Sequence, residues 1–275
     1  MNNSLLDALC ADGDGNHSFP STVIVAAHPD DETVSAGGRL AYLKDCTVVN
    51  VTDGAPRDMR DATAAGFPTR EAYARARRGE LAAALALVGI GMDQTRVMGV
   101  VDQEASLDLV TLAGHVAETL RELKPDVVLT HPYEGGHPDH DATAFAVHAA
   151  TQLLVRGGAP APELIEFTSY HDKHGWMSFF EFLPCGICPT TTVLLSNRVA
   201  AVKRQMVECF VTQQKTIAPF PIELERFRPA PHYDFSAPPH PGTLYYERFD
   251  WGMTGARWRR QAQAALDHLH LDVKL

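Results

Sequence analysis

The chain lacks the features that would place it at once in a common binding class. No G-x-G-x-x-G follows its first apolar run, so the glycine turn that admits a dinucleotide pyrophosphate is missing. No apolar stretch approaches a membrane span. Positive charge is short: 24 Lys and Arg stand against 34 Asp and Glu, a net charge of −10. Nucleic-acid binding rests on neutralising phosphates, so no nucleic-acid partner is expected. Met1 to Asp7 carries neither a basic n-region nor a long apolar h-region, which argues against a secretory signal. The five cysteines (Cys10, Cys46, Cys185, Cys188, Cys209) are odd in number and scattered. They fit reduced thiols in a cytoplasmic protein. Cys185-Gly186-Ile187-Cys188 has no second pair and reads as ordinary loop cysteines. Internal repeats and low-complexity tracts are also missing.

What is present is the pattern of an α/β domain with an ordinary apolar content of 45%. At 275 residues the chain can bury a sizeable core. After a polar lead-in over residues 1 to about 20, Val23 to Ala27 reads as a buried strand. Helix follows over Thr33 to Lys44, strand over Cys46 to Thr52, helix over Arg75 to Leu87 and a weak strand over Thr95 to Met98. Leu107 to Leu123 is an amphipathic helix ended by Lys124-Pro125. Strand over Asp126 to Thr130 and helix over Asp139 to Leu154 complete a β-α repetition, which argues for a mostly parallel sheet covered on both faces. Further strands are expected over Leu164 to Tyr170 and Thr191 to Leu195. Helices are expected from Ser196-Asn197 to Cys209 and from Thr254 to His270. Ala218 to Pro241 is rich in proline and is expected to be a covering loop.

Two polar clusters interrupt this pattern. The first apolar run stops at His28-Pro29-Asp30-Asp31-Glu32, and the run Val127 to Thr130 is followed by His137-Pro138-Asp139-His140-Asp141. So much charge costs folding free energy if it is buried unpaired, and makes sense if a cation binds. In parallel sheets ligands sit beyond the carboxyl ends of the strands, where both clusters fall. Adjacent Asp30 and Asp31 point apart, so one can bind metal while the other faces substrate as a base. His137 and His140, three apart at a helix start, can point to one side, one as ligand and one as proton donor. Three protein ligands with an open position make a hydrolytic zinc site. The bland alternatives are a helix cap for the aspartates and exposed loop histidines. His171, after Tyr170 at a strand end, is a candidate to line the pocket. His131 is expected to hydrogen-bond locally, and His115 and His148 to be structural.

Ala27-His28-Pro29-Asp30-Asp31-Glu32, Gly37-Gly38 and the distant His137-Pro138-Asp139-His140 resemble the LmbE-like (PIG-L) family of zinc-dependent de-N-acetylases. Arg77-Arg78-Gly79-Glu80, then Ala84 and Leu87-Val88-Gly89, is similar to the family's helix after the second strand. The resemblance covers residues 20 to 175. It implies an α/β, Rossmann-like three-layer sandwich, with metal held at the positions of His28, Asp31 and His140. Asp30 would be the general base, and His137 the oxyanion stabiliser or general acid. Arg77 and Asp102 match substrate-contacting and pocket-lining positions. Some members carry a tyrosine where this chain has Gly135; Tyr133 is the nearest.

The expectation is therefore one domain over residues 1–275, with a core over about 20–175 and residues 176–275 completing the fold and covering the site. Its function would be removal of an N-acyl group, acetyl first, from an amino sugar or glycoconjugate. The ion would be Zn²⁺, with Fe²⁺ or another divalent metal as alternative. Substrate choice falls to loops such as Arg57 to Arg70, with Arg57 a candidate contact, and Ala218 to Pro241. The final helix and the proline-rich segment are candidates for a homo-oligomer interface. Rival readings are an amidase of thiol conjugates with the same site, and a metal-binding Rossmann-like protein without catalysis.

Overall fold

Alternation along the first strand sets the layers. In β1 (Thr22–Ala26), Val23 and Val25 face one core and Ile24 faces the other, as a strand with period two requires. The computed structural model describes Leu6, Leu9, residues 19–43 and residues 45–275. Cys10, His17 and most of the expected lead-in lie outside the described residues. After β1 come α1 (Asp31–Leu40), β2 (Thr47–Pro56), the short α2 (Arg60–Ala64), α3 (Arg70–Ala86) and β3 (Thr95–Asp102). Next are α4 (Leu109–Leu123), β4 (Val127–Thr130), α5 (Pro138–Arg156) and β5 (Glu163–Phe167). A hairpin of β6 (Tyr170–Lys173) and β7 (Trp176–Phe179) precedes β8 (Thr191–Leu194) and α6 (Asn197–Glu208). The short α7 (Gln214–Ile217), β9 (Leu224–Pro229) and α8 (Gly255–Leu269) follow.

Seven strands form one sheet in the order β3-β2-β1-β4-β5-β9-β8. The first five are parallel, and β9 and β8 extend the sheet antiparallel. Helices α4, α5 and α8 cover one face with Leu112, Phe145 and Trp258, while α1, α3 and α6 cover the other with Leu40, Leu81 and Met206. The fold is thus the mostly parallel three-layer α/β sandwich the sequence implies. Strand order reverses between β1 and β4, whose register pairs Val25 with Thr130. The chain ends leaving those two strands diverge into the crevice where open α/β sheets bind ligands.

Several expectations need correction. β3 runs to Asp102, beyond the expected Met98, and α3 begins at Arg70 because Thr69 caps it by accepting the Ala72 N–H. The strand expected over Leu164 to Tyr170 ends at Phe167, and Tyr170 begins the separate hairpin. Its two-residue turn is His174-Gly175, both with positive φ (55° and 95°), the conformation that suits the twist of paired strands. The largest correction is β9, which lies inside the proline-rich segment expected to be loop. Leu-Glu-Arg-Phe-Arg-Pro does not look like a buried strand. It becomes one because Lys203 neutralises Glu225 at 2.8 Å and Glu166 neutralises Arg228 at 2.7 Å, all four buried.

Candidate active site

The turn after β1 is fixed by its own backbone. Asp30 and Asp31 both donate their N–H to the His28 carbonyl, and Val34 N–H bonds to the Asp30 carbonyl as α1 starts. Asp30 occupies the N-cap of α1, yet its side chain makes no capping bond, so a pure capping role is excluded. Its Oδ2 instead accepts from Arg77 at 3.0 Å. The Asp31 carboxylate folds back to accept the His28 N–H at 2.7 Å. Two adjacent carboxylates are thus held in different surroundings.

The second cluster arrives from the far side of the switch point. His137 caps α5: its Nδ1 accepts the Asp139 N–H at 3.2 Å. That bond leaves Nε2 to carry the proton of the neutral ring. One turn on, His140 Nε2 stands 3.3 Å from both Asp31 Oδ1 and His28 Nδ1, and its Nδ1 meets Ser169 Oγ at 3.2 Å. His28 Nδ1 is 3.1 Å from Asp31 Oδ2, and its Nε2 is 3.1 Å from Asp102 Oδ1. Asp139 is consumed locally, accepting from the Gln103 and Ala105 N–H groups and so tying the end of β3 to the start of α5.

Electrostatics separates the roles further. Burial raises the Asp31 carboxyl, but His140 and His131 override it and hold Asp31 well below the usual carboxylate range. Burial pushes its neighbour Asp30 the other way, up to about 7, against the pull of Arg77. Burial also holds the His137 imidazole well below the ordinary histidine range. For His28 burial acts downward, yet Asp102, Asp139 and Asp31 together outweigh it and raise the ring well above that range.

The donor set fits a divalent metal. One oxygen or nitrogen from each of His28, Asp31 and His140 lies within 4.8 Å of the others. Asp102 and Ser169 engage the opposite ring nitrogens, the outer contacts that orient metal-binding histidines. A second grouping of His28, Asp102, His137 and Asp139 meets the same distance limit. It is the weaker candidate, because Asp139 and His137 Nδ1 already accept backbone N–H bonds. His131 contributes indirectly: its Nε2 accepts the Ala27 N–H at 3.0 Å and fixes the end of β1.

A cavity of about 280 Å³ opens over these groups. His28, Asp30, Asp31, His137 and His140 line it, with Arg77 and Asp102. Asp102, expected as a pocket-lining contact, also orients His28. Arg77 is buried, and its terminal nitrogens are taken by Asp30, the Gly54 carbonyl and the Pro29 carbonyl. Arg57 and His171 are not among the lining residues. Arg57 is exposed and paired with Glu104; His171 is buried with its Nδ1 3.6 Å from Glu134 and lines a different cavity. Tyr133 sits in the core under α8, its hydroxyl bonded to the Ala237 carbonyl. Sequence reasoning missed Ser169, Tyr170 and Trp251, since nothing local marks them as site residues.

Known proteins resemble this arrangement. The family model of GlcNAc-PI de-N-acetylases (PIG-L) matches residues 23–151, which hold both clusters. A 1D-myo-inositol 2-acetamido-2-deoxy-alpha-D-glucopyranoside deacetylase of Salinispora arenicola is 32% identical over 166 residues, 50% of this chain and 53% of that protein. A probable N-acetyl-alpha-D-glucosaminyl L-malate deacetylase of Bacillus cereus is 30% identical over 150 residues, 53% of this chain and 67% of that protein. This chain belongs to the PIG-L family. It spans about half the length of most curated relatives it matches. Among solved structures, the zinc-inhibited form of a teicoplanin deacetylase shares the fold, with a TM-score of 0.58 at 20% identity over 76% of this chain and 97% of that one.

Proposed function

We propose that the chain is a Zn²⁺-dependent hydrolase that removes an N-acyl group, acetyl first, from an amino sugar. The observation that carries this reading is the convergence of His28, Asp31 and His140 on one point, flanked by Asp30 and by His137 with a proton on Nε2. A cation held by those three side chains would polarise the amide carbonyl and bring a water's pKa towards neutrality. Asp30 takes the proton of the attacking water; Arg77 fixes the direction of its carboxylate. His137 Nε2–H donates to the carbonyl oxygen as negative charge develops there. Asp30, now protonated, returns the proton to the departing amine. Ser169 and Asp102 keep both ligand rings in place.

We further propose that residues 176–275 act as part of the same unit. In support, β8 and β9 extend the sheet, and Phe220, Tyr245, Phe249 and Trp251 line the cavity.

Metal analysis of the purified protein, with amine release from N-acetylglucosamine glycosides, tests the reading. About one zinc per chain and free amine are expected, both lost in His28→Ala and His140→Ala. Wild type without metal, or loaded protein that releases no amine from any N-acylated amino sugar, would overturn it.

A further inference from the structure

Opposite the polar floor, the cavity is walled by rings from distant parts of the chain. Phe220, Tyr170, Tyr245, Phe249 and Trp251 follow one another with centroids 5.9, 5.7, 5.3 and 4.5 Å apart. The last two lie only 13° from parallel. Two rings of this arc touch the site. Tyr170 stands 5.3 Å from the His140 ring and Trp251 4.8 Å from the His137 ring. Val34, Met177 and Ile217 add apolar surface to the same cavity. Phe249 is 40% exposed, a large ring left facing solvent at the mouth.

Carboxylates outnumber guanidinium groups in the same cavity. Asp30, Asp31, Asp61 and Asp102 line it, and among the described lining residues Arg77 is the only Lys or Arg. Nearby arginines are also engaged: Arg57 with Glu104, Arg60 with Asp58, Arg70 with Asp53 and Arg248 with Asp172. A carboxylate or phosphate on the substrate would meet no free guanidinium to accept it. An apolar group would instead lose water against aromatic faces, which also suit the C–H faces of a sugar ring. At about 280 Å³ the cavity is near the small end of ligand sites (roughly 300–1,000 Å³), enough to bury one sugar and a short appendage.

We propose that the aromatic arc is the specificity wall, and that it selects uncharged amino sugars bearing an alkyl or aryl aglycone over those bearing a carboxylate or phosphate. The amide chemistry in this statement rests on the function proposed above; the wall itself does not.

The test is therefore binding first. Metal-loaded wild type is titrated calorimetrically with methyl glucoside, hexyl glucoside and methyl glucuronide, none of which carries an amide. Hexyl glucoside should bind at least about ten-fold tighter than methyl glucoside, as burial of a few methylenes allows. Methyl glucuronide should bind more weakly than either. Phe249→Ala, at a half-open position, should cut the hexyl-to-methyl ratio to below about three-fold, while Phe249→Leu should keep most of it; thermal melts check that both variants fold. Equal affinity for hexyl and methyl glucoside, or tighter binding of the glucuronide, would overturn the proposal. Amine release from the hexyl glycoside of N-acetylglucosamine is then measured. A hexyl preference in binding with no release would leave the wall standing and sink the deacetylase reading instead.

Discussion

Asp30 and Asp31 are neighbours in sequence with opposite electrostatic fates, and the difference lies in what each faces. Asp31 looks at two imidazoles and stays ionised; Asp30 looks at one guanidinium from a buried position and is pushed up to about 7. A bound dication would draw Asp30 back down and ready it to accept a proton. Asp30→Asn keeps the shape and the Arg77 contact but removes the base. Turnover should fall by about 10²–10⁴-fold with metal content unchanged. Steady-state kinetics beside metal analysis decides the point, and a loss under ten-fold would take the base role away from Asp30.

At the scale of elements, the site depends on how closely strands and loops approach one another. Gly136 directly precedes His137, and a Cβ there would lie 2.0 Å from the Tyr170 carbonyl oxygen. Backbone cannot yield cheaply, so Gly136→Ala must move either the loop that carries His137 or the start of β6. A shift of about 1 Å costs on the order of 10²-fold in rate, so kcat should drop that far while the fold persists by circular dichroism. Unchanged kcat would mean that the loop position is not critical. The buried pair Lys203–Glu225, which joins α6 to β9, is a separate test of the antiparallel extension. Lys203→Met strands a buried carboxylate and should destabilise by about 3–5 kcal/mol, whereas Lys203→Met with Glu225→Met should recover much of that loss. Urea titration of both variants measures it; a double variant no better than the single would show that charge pairing is not what places β9.

Across the whole molecule, stability towards acid should carry the mark of buried histidine. Burial holds His148 down to about 4, below its ordinary 6.5, where α5 packs it against Tyr233 and Phe235. The unfolded chain therefore binds a proton between those pH values that the folded chain does not. This contribution is complete above pH 6.5 and is lost as pH falls towards 4, amounting to roughly 3 kcal/mol. His148→Leu should flatten the pH dependence of the unfolding free energy over that window. The same slope in the variant would assign acid sensitivity to other groups.

The sequence by itself determined the parallel half of the molecule and the stretches that carry the chemistry. β-branched runs, caps and prolines act over a few residues, so β1, β4, α5 and α6 are legible to within a few positions, as are the polar turns that follow β1 and β4. Tertiary structure alone decided partners. Asp102 reaches His28 across 74 positions of sequence, and Arg57 stays exposed and pairs with Glu104. β9 could be buried only once Lys203 and Glu166 stood opposite its charges. The aromatic arc has no local signature either, since its rings come from three separate stretches of chain. Side-chain period and backbone preference are local properties, whereas the neutralisation of a buried charge and the wall of a cavity are set by residues the chain brings together only when it folds.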